Sequence, residues 1–345
     1  MGVLSGGVFG SAPDDLSDLR NLVDDIGTRS FDAKIGHRTL PDAFDSAAWR
    51  HLEESGLTRL SSTPDSGAGP VEAAVVLRSL ARHAVTVPVA ETDLLAGWLA
   101  DRAGLDIPET GPLTVATGPD AVPYAGDAAA VLLALPDGEG LRVAVCTPAQ
   151  LHITRGHNAG GEPRDDVTVE DAAFVSVDAA AELTRRGAWA RCVQIIGALD
   201  GAVEFSVAHT QEREQFGRPL SAFQAVQHTL ATMAGEVERA RAATDLAVAA
   251  AADHGFGSPQ TDYAVAVAKV TLGQVVPAVV TAAHQLHGAI GVTIEHRLWL
   301  ATMRARGWSG EFGDTAGYAQ RLGRLALSTA DPWDLIVGIT ERTGS

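Results

Sequence analysis

Apolar residues change their spacing twice along this chain of 345 residues. Up to about residue 112 they recur at helical intervals, from 113 to about 178 they form the short runs typical of strands, and from 179 onward helical intervals return. The fold class predicted is α+β, mostly α. It comprises an N-terminal helical domain (1–112), a small central β domain (113–178) and a C-terminal four-helix bundle (179–345).

Four helices are predicted in the N-terminal domain. Pro41 is expected to open the second of them, because proline is favoured at the first helical position. The fourth is expected over residues 91–102. The apolar residues that mark the first three helices are, in turn, Leu16, Leu19, Val23 and Ile26; Phe44, Ala48 and Leu52; and Ala73, Val76, Leu77, Leu80 and Ala81.

Residues 136–140 read Pro-Asp-Gly-Glu-Gly between two apolar runs, 131–135 and 141–145. This arrangement predicts a strand, a tight turn and a second strand. Residues 171–177 are a further strand candidate.

Helical segments with short connections are predicted for residues 179–345, as in an antiparallel bundle. Three sequence signals mark their limits: a capping box, a Ser-Pro start and a proline that kinks or breaks a helix. The first helix is expected to end near His209, and the second to start at Ser221, with Gln224 three residues on. The third is expected to start at Ser258 and Pro259 and to kink or break at Pro277. The final helix is expected at about 315–328.

A formal net charge of −17 argues against non-specific binding to nucleic acid, because such binding neutralises phosphates with Lys and Arg. The two cysteines, Cys146 and Cys192, fit no metal-ligand spacing and are expected to be buried thiols. The N-terminus lacks the basic-then-apolar order of a signal peptide, and no run of eighteen apolar residues is found. No membrane span and a cytoplasmic location are therefore expected.

Two short segments at the ends of predicted helices contain the residues with the clearest chemical role. Residues 213–217 read Arg-Glu-Gln-Phe-Gly, and residues 285–291 read Gln-Leu-His-Gly-Ala-Ile-Gly. An arginine pairs a pyrophosphate through planar donors, a phenylalanine offers a face to an adenine, and glycines let backbone N–H groups approach phosphate oxygens. Together the segments suit the ADP half of a dinucleotide, whereas either one alone fits an ordinary helix-to-helix turn equally well.

In this order, these motifs resemble the acyl-CoA dehydrogenase family of flavoenzymes, most strongly over residues 180–330. Family members take a proton from Cα of an acyl-CoA thioester and pass a hydride from Cβ to FAD, giving a 2-enoyl-CoA. The resemblance implies the three-part fold described above. Ala289 departs mildly from it, since many members have a second glycine there. Carried over residue by residue, the resemblance implies contacts to the FAD of a partner subunit from Arg213, Gln215, Phe216, Gln285 and Gly288.

The residues that should do the chemistry depart from the family pattern. The family places its glutamate base either in a Glu-Gly pair before the last helix, here Phe312-Gly313 with Glu311 one residue early, or near the start of the first bundle helix, here Gly187. The Thr/Ser-Glu-Pro and Gly-Ser that cradle the flavin ring are not recognised between residues 113 and 127. Glu311 is the candidate catalytic base, and the alternative is a surface carboxylate near a helix N-terminus.

Three hypotheses about function follow. The chain resembles the short, base-lacking subunit of actinobacterial steroid side-chain dehydrogenases. That resemblance implies an α2β2 assembly with a paralogous catalytic subunit, an acyl-CoA substrate, and electron-transfer flavoprotein or a similar acceptor. The second hypothesis is a self-sufficient homo-oligomeric dehydrogenase that uses Glu311. The third is a catalytically dead family member that acts as a scaffold.

Other charged residues are ambiguous between binding and local structure. His284 and His287 have no third ligand nearby, so no metal site is predicted. Arg185 and Arg186 either reach a CoA phosphate or lie in a solvated helix start. Residues 295–297, Glu-His-Arg, either touch CoA or an interface or form an ion-paired helix start.

Overall fold

The computed structural model describes residues 14–33, 40, 42–63, 67–294 and 296–331. Pro41, the predicted start of the second helix, lies outside these residues. That helix begins instead at Ser46, because the Asp45 carboxylate caps it by accepting a hydrogen bond from Ala48 N at 2.9 Å. The N-terminal helices are α1 (Asp14–Ala33), α2 (Ser46–Glu54), α3 (Pro70–Arg82) and α4 (Trp98–Ala103).

A π-helical segment, Ala90–Gly97, precedes α4 where the sequence predicts one ordinary helix. Thr92 Oγ1 donates to Leu113 O at 3.1 Å and accepts from Leu113 N at 2.9 Å. The Asp93 carboxylate accepts hydrogen bonds from the backbone and hydroxyl of Ser61. These bonds tie the segment to the central sheet on one side and to the loop after α2 on the other.

The central strands form two small sheets, with orders β1-β3-β4-β7 and β2-β6-β5. The strands are β1 (Leu113–Ala116), β2 (Val122–Pro123), β3 (Ala130–Asp137), β4 (Gly140–Cys146), β5 (Leu151–Thr154), β6 (Arg164–Val169) and β7 (Val175–Val177). β3 and β4 pair antiparallel around a tight turn, as predicted. The predicted strand over residues 171–177 shortens to β7, because only residues 175–177 find backbone partners, on β4.

Helices return after the sheets. They are α5 (Ala180–Glu212), α6 (Gln224–His254), α7 (Pro259–His287), α8 (Arg297–Gly310) and α9 (Thr315–Ser328). α7 has its predicted cap, since Ser258 accepts a backbone N–H at 3.1 Å, and it passes through Pro277 as one continuous helix. The predicted start of α6 at Ser221 is wrong, because residues 220–222 form a 3-10 turn and Phe223 is extended (φ −91°, ψ 131°).

One apolar core joins the N-terminal helices, the β1–β3–β4 sheet and the bundle. α5 lies at its centre, in contact with α3, α6, α7 and α8. Trp189 of α5 is fully buried, and its Nε1 donates to Ala247 O at 3.1 Å. Cys146 and Cys192 are buried thiols, as predicted. The order of elements confirms the predicted fold class, and the three domain limits stay predictions.

Among the described residues, one helical stretch, Pro259–Val292, is long and apolar enough to cross a membrane by length and composition alone. No span was predicted from the sequence, because residues such as Lys269 and Gln274 interrupt the apolar ones. In the fold, 56% of its most apolar window is buried. α7 contacts α5, α6, α8 and α9, so this composition is that of a helix at the centre of a bundle.

Candidate functional site

Residues 214–219 form a two-stranded hairpin directly after α5. Strands β8 (Glu214–Gln215) and β9 (Arg218–Pro219) pair around a turn of two residues, Phe216 and Gly217. Both turn residues have positive φ, +53° and +76°, as a tight hairpin that matches the strand twist requires. This backbone is unfavourable for a bulky residue, yet it places Phe216 at the tip with 91% of the residue exposed.

Contacts behind the tip brace the hairpin on the bundle. Leu220 N donates to Arg213 O at 2.8 Å and closes the base. The Arg218 guanidinium carbon lies 4.0 Å from the centroid of the Phe223 ring, and the Phe216 ring meets the same ring edge-on at 6.3 Å. The Arg213 side chain stays exposed. A cation and an aromatic face are therefore presented to solvent from a supported loop.

α7 ends at the same end of the bundle. The rings of His209, in the last turn of α5, and His287, in the last turn of α7, stack with their centroids 4.4 Å apart. Gly288 follows with φ +64° and ψ −145°, a conformation that favours glycine. Gln285, Gly288 and Gln215 are exposed. The structure thus brings all five residues predicted to contact a nucleotide to one end of the bundle.

These exposed groups fit the ADP half of a dinucleotide. Arg213 offers planar charged donors of the kind that pair with a pyrophosphate. No atom lies within 4 Å of where a Cβ on Gly288 would stand, so the backbone there is open to an approaching oxygen. Phe216 offers an uncovered ring face for a planar base.

A cavity of about 740 Å³ lies elsewhere, between the sheets and α5. The π-helical segment, the first turns of α5 and the loop after α8 form one wall, and loops of the β segment form the other. Thr117 lines it, directly after β1, in the sequence Thr117-Gly118-Pro119. Thr117 and Pro119 match the two ends of the Thr/Ser-Glu-Pro pattern, and Gly118 stands in place of its glutamate. Without that glutamate the pattern is not recognised from the sequence alone.

Glu311 faces this cavity from the loop between α8 and α9. Its Oε1 accepts a hydrogen bond from Arg164 Nη2 at 2.8 Å, and its Oε2 accepts one from Arg191 Nε at 2.6 Å. Burial disfavours the charged carboxylate, but the two guanidinium groups outweigh burial and lower the pKa of Glu311 to about 2. With its side chain 26% exposed, Glu311 is not a surface carboxylate, and its low proton affinity makes it a poor base.

Ion pairs continue from Glu311 in both directions. Arg191 Nη2 donates to Glu91 Oε1 at 2.6 Å, and Arg164 Nη2 lies 3.5 Å from Glu162 Oε2. Burial alone would lower the pKa of both guanidinium groups, but the facing carboxylates, Glu311 foremost, raise it above the usual value. These five side chains form one row of alternating charge, called here the ion-pair row.

Lys269 of α7 fixes the loop that carries Glu311. Its Nζ donates to Ser309 O at 2.9 Å and to Glu311 O at 2.8 Å, while Tyr318 Oη donates to Phe312 O at 3.0 Å. Sequence reasoning missed Lys269. The available signal was a lysine on the apolar face of a long helix, a residue that is rarely buried without partners.

Gly187, the other position at which the resemblance would place a base, lies against the Phe312 ring. A Cβ built on residue 187 would fall 2.4 Å from two carbons of that ring. The two alternative base positions of the family are therefore both apolar here, and they pack against each other.

Arg185 and Arg186 are engaged within the fold rather than simply solvated. Arg185 Nε donates to Asp262 Oδ1 at 2.8 Å. Arg186 Nε donates to Glu182 Oε1 at 2.9 Å, and its guanidinium carbon lies 4.3 Å from the centroid of the Phe256 ring. These contacts anchor the start of α5. They account for both arginines without a contact to a CoA phosphate.

The remaining candidates also make local contacts. His284 Nε2 lies 2.9 Å from Thr302 Oγ1, and within the described ranges no group of three or more His, Cys, Asp or Glu could hold a metal ion. Arg297 lies 3.6 Å from Asp32, which agrees with an ion-paired helix start. Glu295 lies outside the described residues.

Comparisons with known proteins identify this order of helices, two small sheets and a helical bundle. The family model described as "Acyl-CoA dehydrogenase, C-terminal domain" matches residues 177–315. The acyl-CoA dehydrogenase IpdE2 of Mycolicibacterium smegmatis is 30% identical over 293 residues, which cover 81% of this chain and 88% of the relative.

Solved structures give the same result. A chain of the ChsE4–ChsE5 complex from Mycobacterium tuberculosis matches with a TM-score of 0.80 at 22% identity, covering 92% of this chain and 99% of that chain. A chain of the Tcur3481–Tcur3483 steroid ACAD matches with a TM-score of 0.79 at 26% identity, covering 91% and 98%. The chain belongs to the acyl-CoA dehydrogenase family, and the cofactor of this family is FAD.

Proposed function

We propose that this chain is the subunit of a heteromeric acyl-CoA dehydrogenase that helps to bind FAD but carries no catalytic base. The observation that carries the proposal is the state of Glu311, whose two oxygens are held by Arg164 and Arg191 and whose pKa is about 2. Gly187, at the alternative position, has no side chain to offer. The base then comes from a paralogous catalytic subunit in an α2β2 assembly.

The contribution of this chain is to hold the ADP part of an FAD shared with that partner. Arg213 would pair with the pyrophosphate, Phe216 would cover the adenine, and the Gln215 and Gln285 amides and the Gly288 backbone would provide hydrogen bonds. When bound, FAD supplies the acceptor for the hydride. The exposure of all five residues on one end of the bundle supports this role.

The assembly converts an acyl-CoA thioester to a 2-enoyl-CoA. A steroid-type acyl group is supported by the Tcur3481–Tcur3483 relative, whose name joins two proteins and describes a steroid ACAD. Electrons then pass to electron-transfer flavoprotein or a similar acceptor, and the complex works in the cytoplasm.

The test is the visible flavin spectrum of the purified chain, alone and after co-expression with a paralogous catalytic dehydrogenase subunit. We expect only the co-purified complex to be yellow. Arg213→Ala should weaken flavin retention in the complex by about ten- to a hundredfold, because a charge-assisted hydrogen bond contributes roughly 1.5–3 kcal/mol. Arg142→Ala, which removes an exposed arginine on β4, is the matched control and should leave retention unchanged.

Two outcomes favour the other hypotheses. A lone chain that is yellow, is bleached by an acyl-CoA and loses that activity in Glu311→Gln would establish a self-sufficient dehydrogenase. A chain that gains no flavin with any partner and is indifferent to Arg213→Ala would be a scaffold.

A further inference from the structure

We propose that Phe312 closes this chain's own cavity to the acyl group of a thioester. The inference deepens the proposed function and rests on it, since a subunit without a base has no use for a bound acyl group. It concerns binding rather than chemistry, so the two proposals fail in different experiments.

The Phe312 ring fills the space in front of α5. Because residue 187 is a glycine, the ring lies where a side chain on α5 would begin, with ring carbons 2.4 Å and 2.5 Å from the position of a Cβ. The Arg191 guanidinium carbon stands 5.8 Å from the ring centroid on another side. Phe312 and Gly313 both line the cavity, so the ring forms part of its wall.

Backbone contacts fix the position from which the ring projects. Phe312 has φ +56° and Gly313 has φ +104°, so the loop reverses sharply at this point. Lys269 and Tyr318 bind the carbonyl oxygens of Glu311 and Phe312 from two other helices. A turn that is held on both sides fixes the point from which the side chain projects, and the contact with Gly187 places the ring against α5, where it acts as a plug.

The ion-pair row separates the cavity from a much smaller space behind it. Glu91 borders both the open cavity and a closed space behind it of about 10 Å³, which is about the size of one water molecule. An acyl chain entering deeper would have to separate Glu91 from Arg191, and buried charges that lose their partners are strongly destabilising. The cavity in front of the row has apolar walls that include Leu95, Val115 and Leu183, so the space denied to an acyl group is the space next to Gly187 that the Phe312 ring occupies.

The test compares the binding of CoA with that of S-butyl-CoA, a thioether that cannot react, by isothermal titration calorimetry on the full chain. In the wild type we expect the butyl group to add less than about twofold to affinity. In Phe312→Ala it should add about tenfold or more, because each buried methylene contributes roughly a factor of four. Phe205→Ala is the matched control: it removes a partly buried phenylalanine on α5 that does not line the cavity, and it should behave like the wild type.

Each result has a defined meaning. A wild-type chain that prefers S-butyl-CoA to CoA by tenfold overturns the plug, and so does a folded Phe312→Ala chain that gains nothing. If the alanine variant does not fold, Phe312→Leu must show a smaller gain, about threefold, for the proposal to stand. Turnover of butyryl-CoA by the wild-type chain alone would instead sink the proposed function.

Discussion

The hairpin end of the bundle and the cavity beside α5 hold their polar groups in opposite states. At the hairpin, Arg213 and Gln215 point into solvent beside a phenylalanine that is 91% exposed. At the cavity, the side chains of Arg164 and Arg191 are 6% and 2% exposed and are already bonded to carboxylates. Donors that bind a ligand must be available, whereas donors that support a fold are in use. The contrast supports the proposed role of the hairpin end in ligand recognition and a structural role for the ion pairs at the cavity.

The largest loss of stability is expected from a substitution at Arg191. Arg191→Ala leaves Glu91 and Glu311 without their shared partner, and the loss of one member of a buried ion pair costs about 3–5 kcal/mol of unfolding free energy. The measurement is urea-induced unfolding at neutral pH. Arg213→Ala is the control, and its free energy of unfolding should lie within about 0.5 kcal/mol of the wild type. Equal effects of the two substitutions would refute the division of roles.

Lowering the pH tests the ion-pair row in a second way, because it protonates Glu311. The pKa of Glu311 is lowered from 4.5 to about 2, so its contribution to stability is complete above pH 4.5 and is lost as the pH falls toward 2. A difference of this size corresponds to about 3 kcal/mol. We expect the stability advantage of the wild type over Glu311→Gln to shrink by that amount between pH 4.5 and pH 2, as measured by unfolding at a series of pH values. An advantage that stays constant over this range would show that Glu311 has an ordinary pKa.

Local signals in the sequence predicted much of the fold. Residues 315–328 were expected to form the final helix and do so, and the Ser258-Pro259 start of α7 is where the capping rule places it. The start of α6 was missed because Ser221 lies in a 3-10 turn that belongs to the foot of the hairpin. The π-helical segment has no sequence signal of its own, since its hydrogen bonds run to other parts of the chain.

The hairpin end could be predicted from the sequence, whereas the ion-pair row could not. The hairpin residues are consecutive, so their chemistry could be read as one motif. The ion-pair row joins residues that are 100, 120 and 147 positions apart. No local pattern links Glu91, Arg191, Arg164 and Glu311, and only the fold shows that the candidate base is occupied.

The smallest expected effect on stability is that of a substitution at Phe216, which should change flavin binding and stability in opposite directions. Phe216 has φ +53° in a two-residue turn, a conformation that asparagine before glycine adopts more readily. Phe216→Asn should therefore raise the free energy of unfolding of the lone chain by about 0.5 kcal/mol. Flavin retention in the complex should nevertheless fall by about tenfold, because stacking of a base on an aromatic ring contributes roughly 1–3 kcal/mol.

Phe216→Tyr keeps the ring and serves as the control, with flavin retention like that of the wild type. If Phe216→Asn lowers stability by more than about 1 kcal/mol, the contact of Phe216 with Phe223 is holding the hairpin together. If retention is unchanged, the ring does not cover the adenine. A more stable hairpin that binds flavin less well would mean that the unfavourable backbone at Phe216 is maintained because the exposed ring serves a ligand outside the chain.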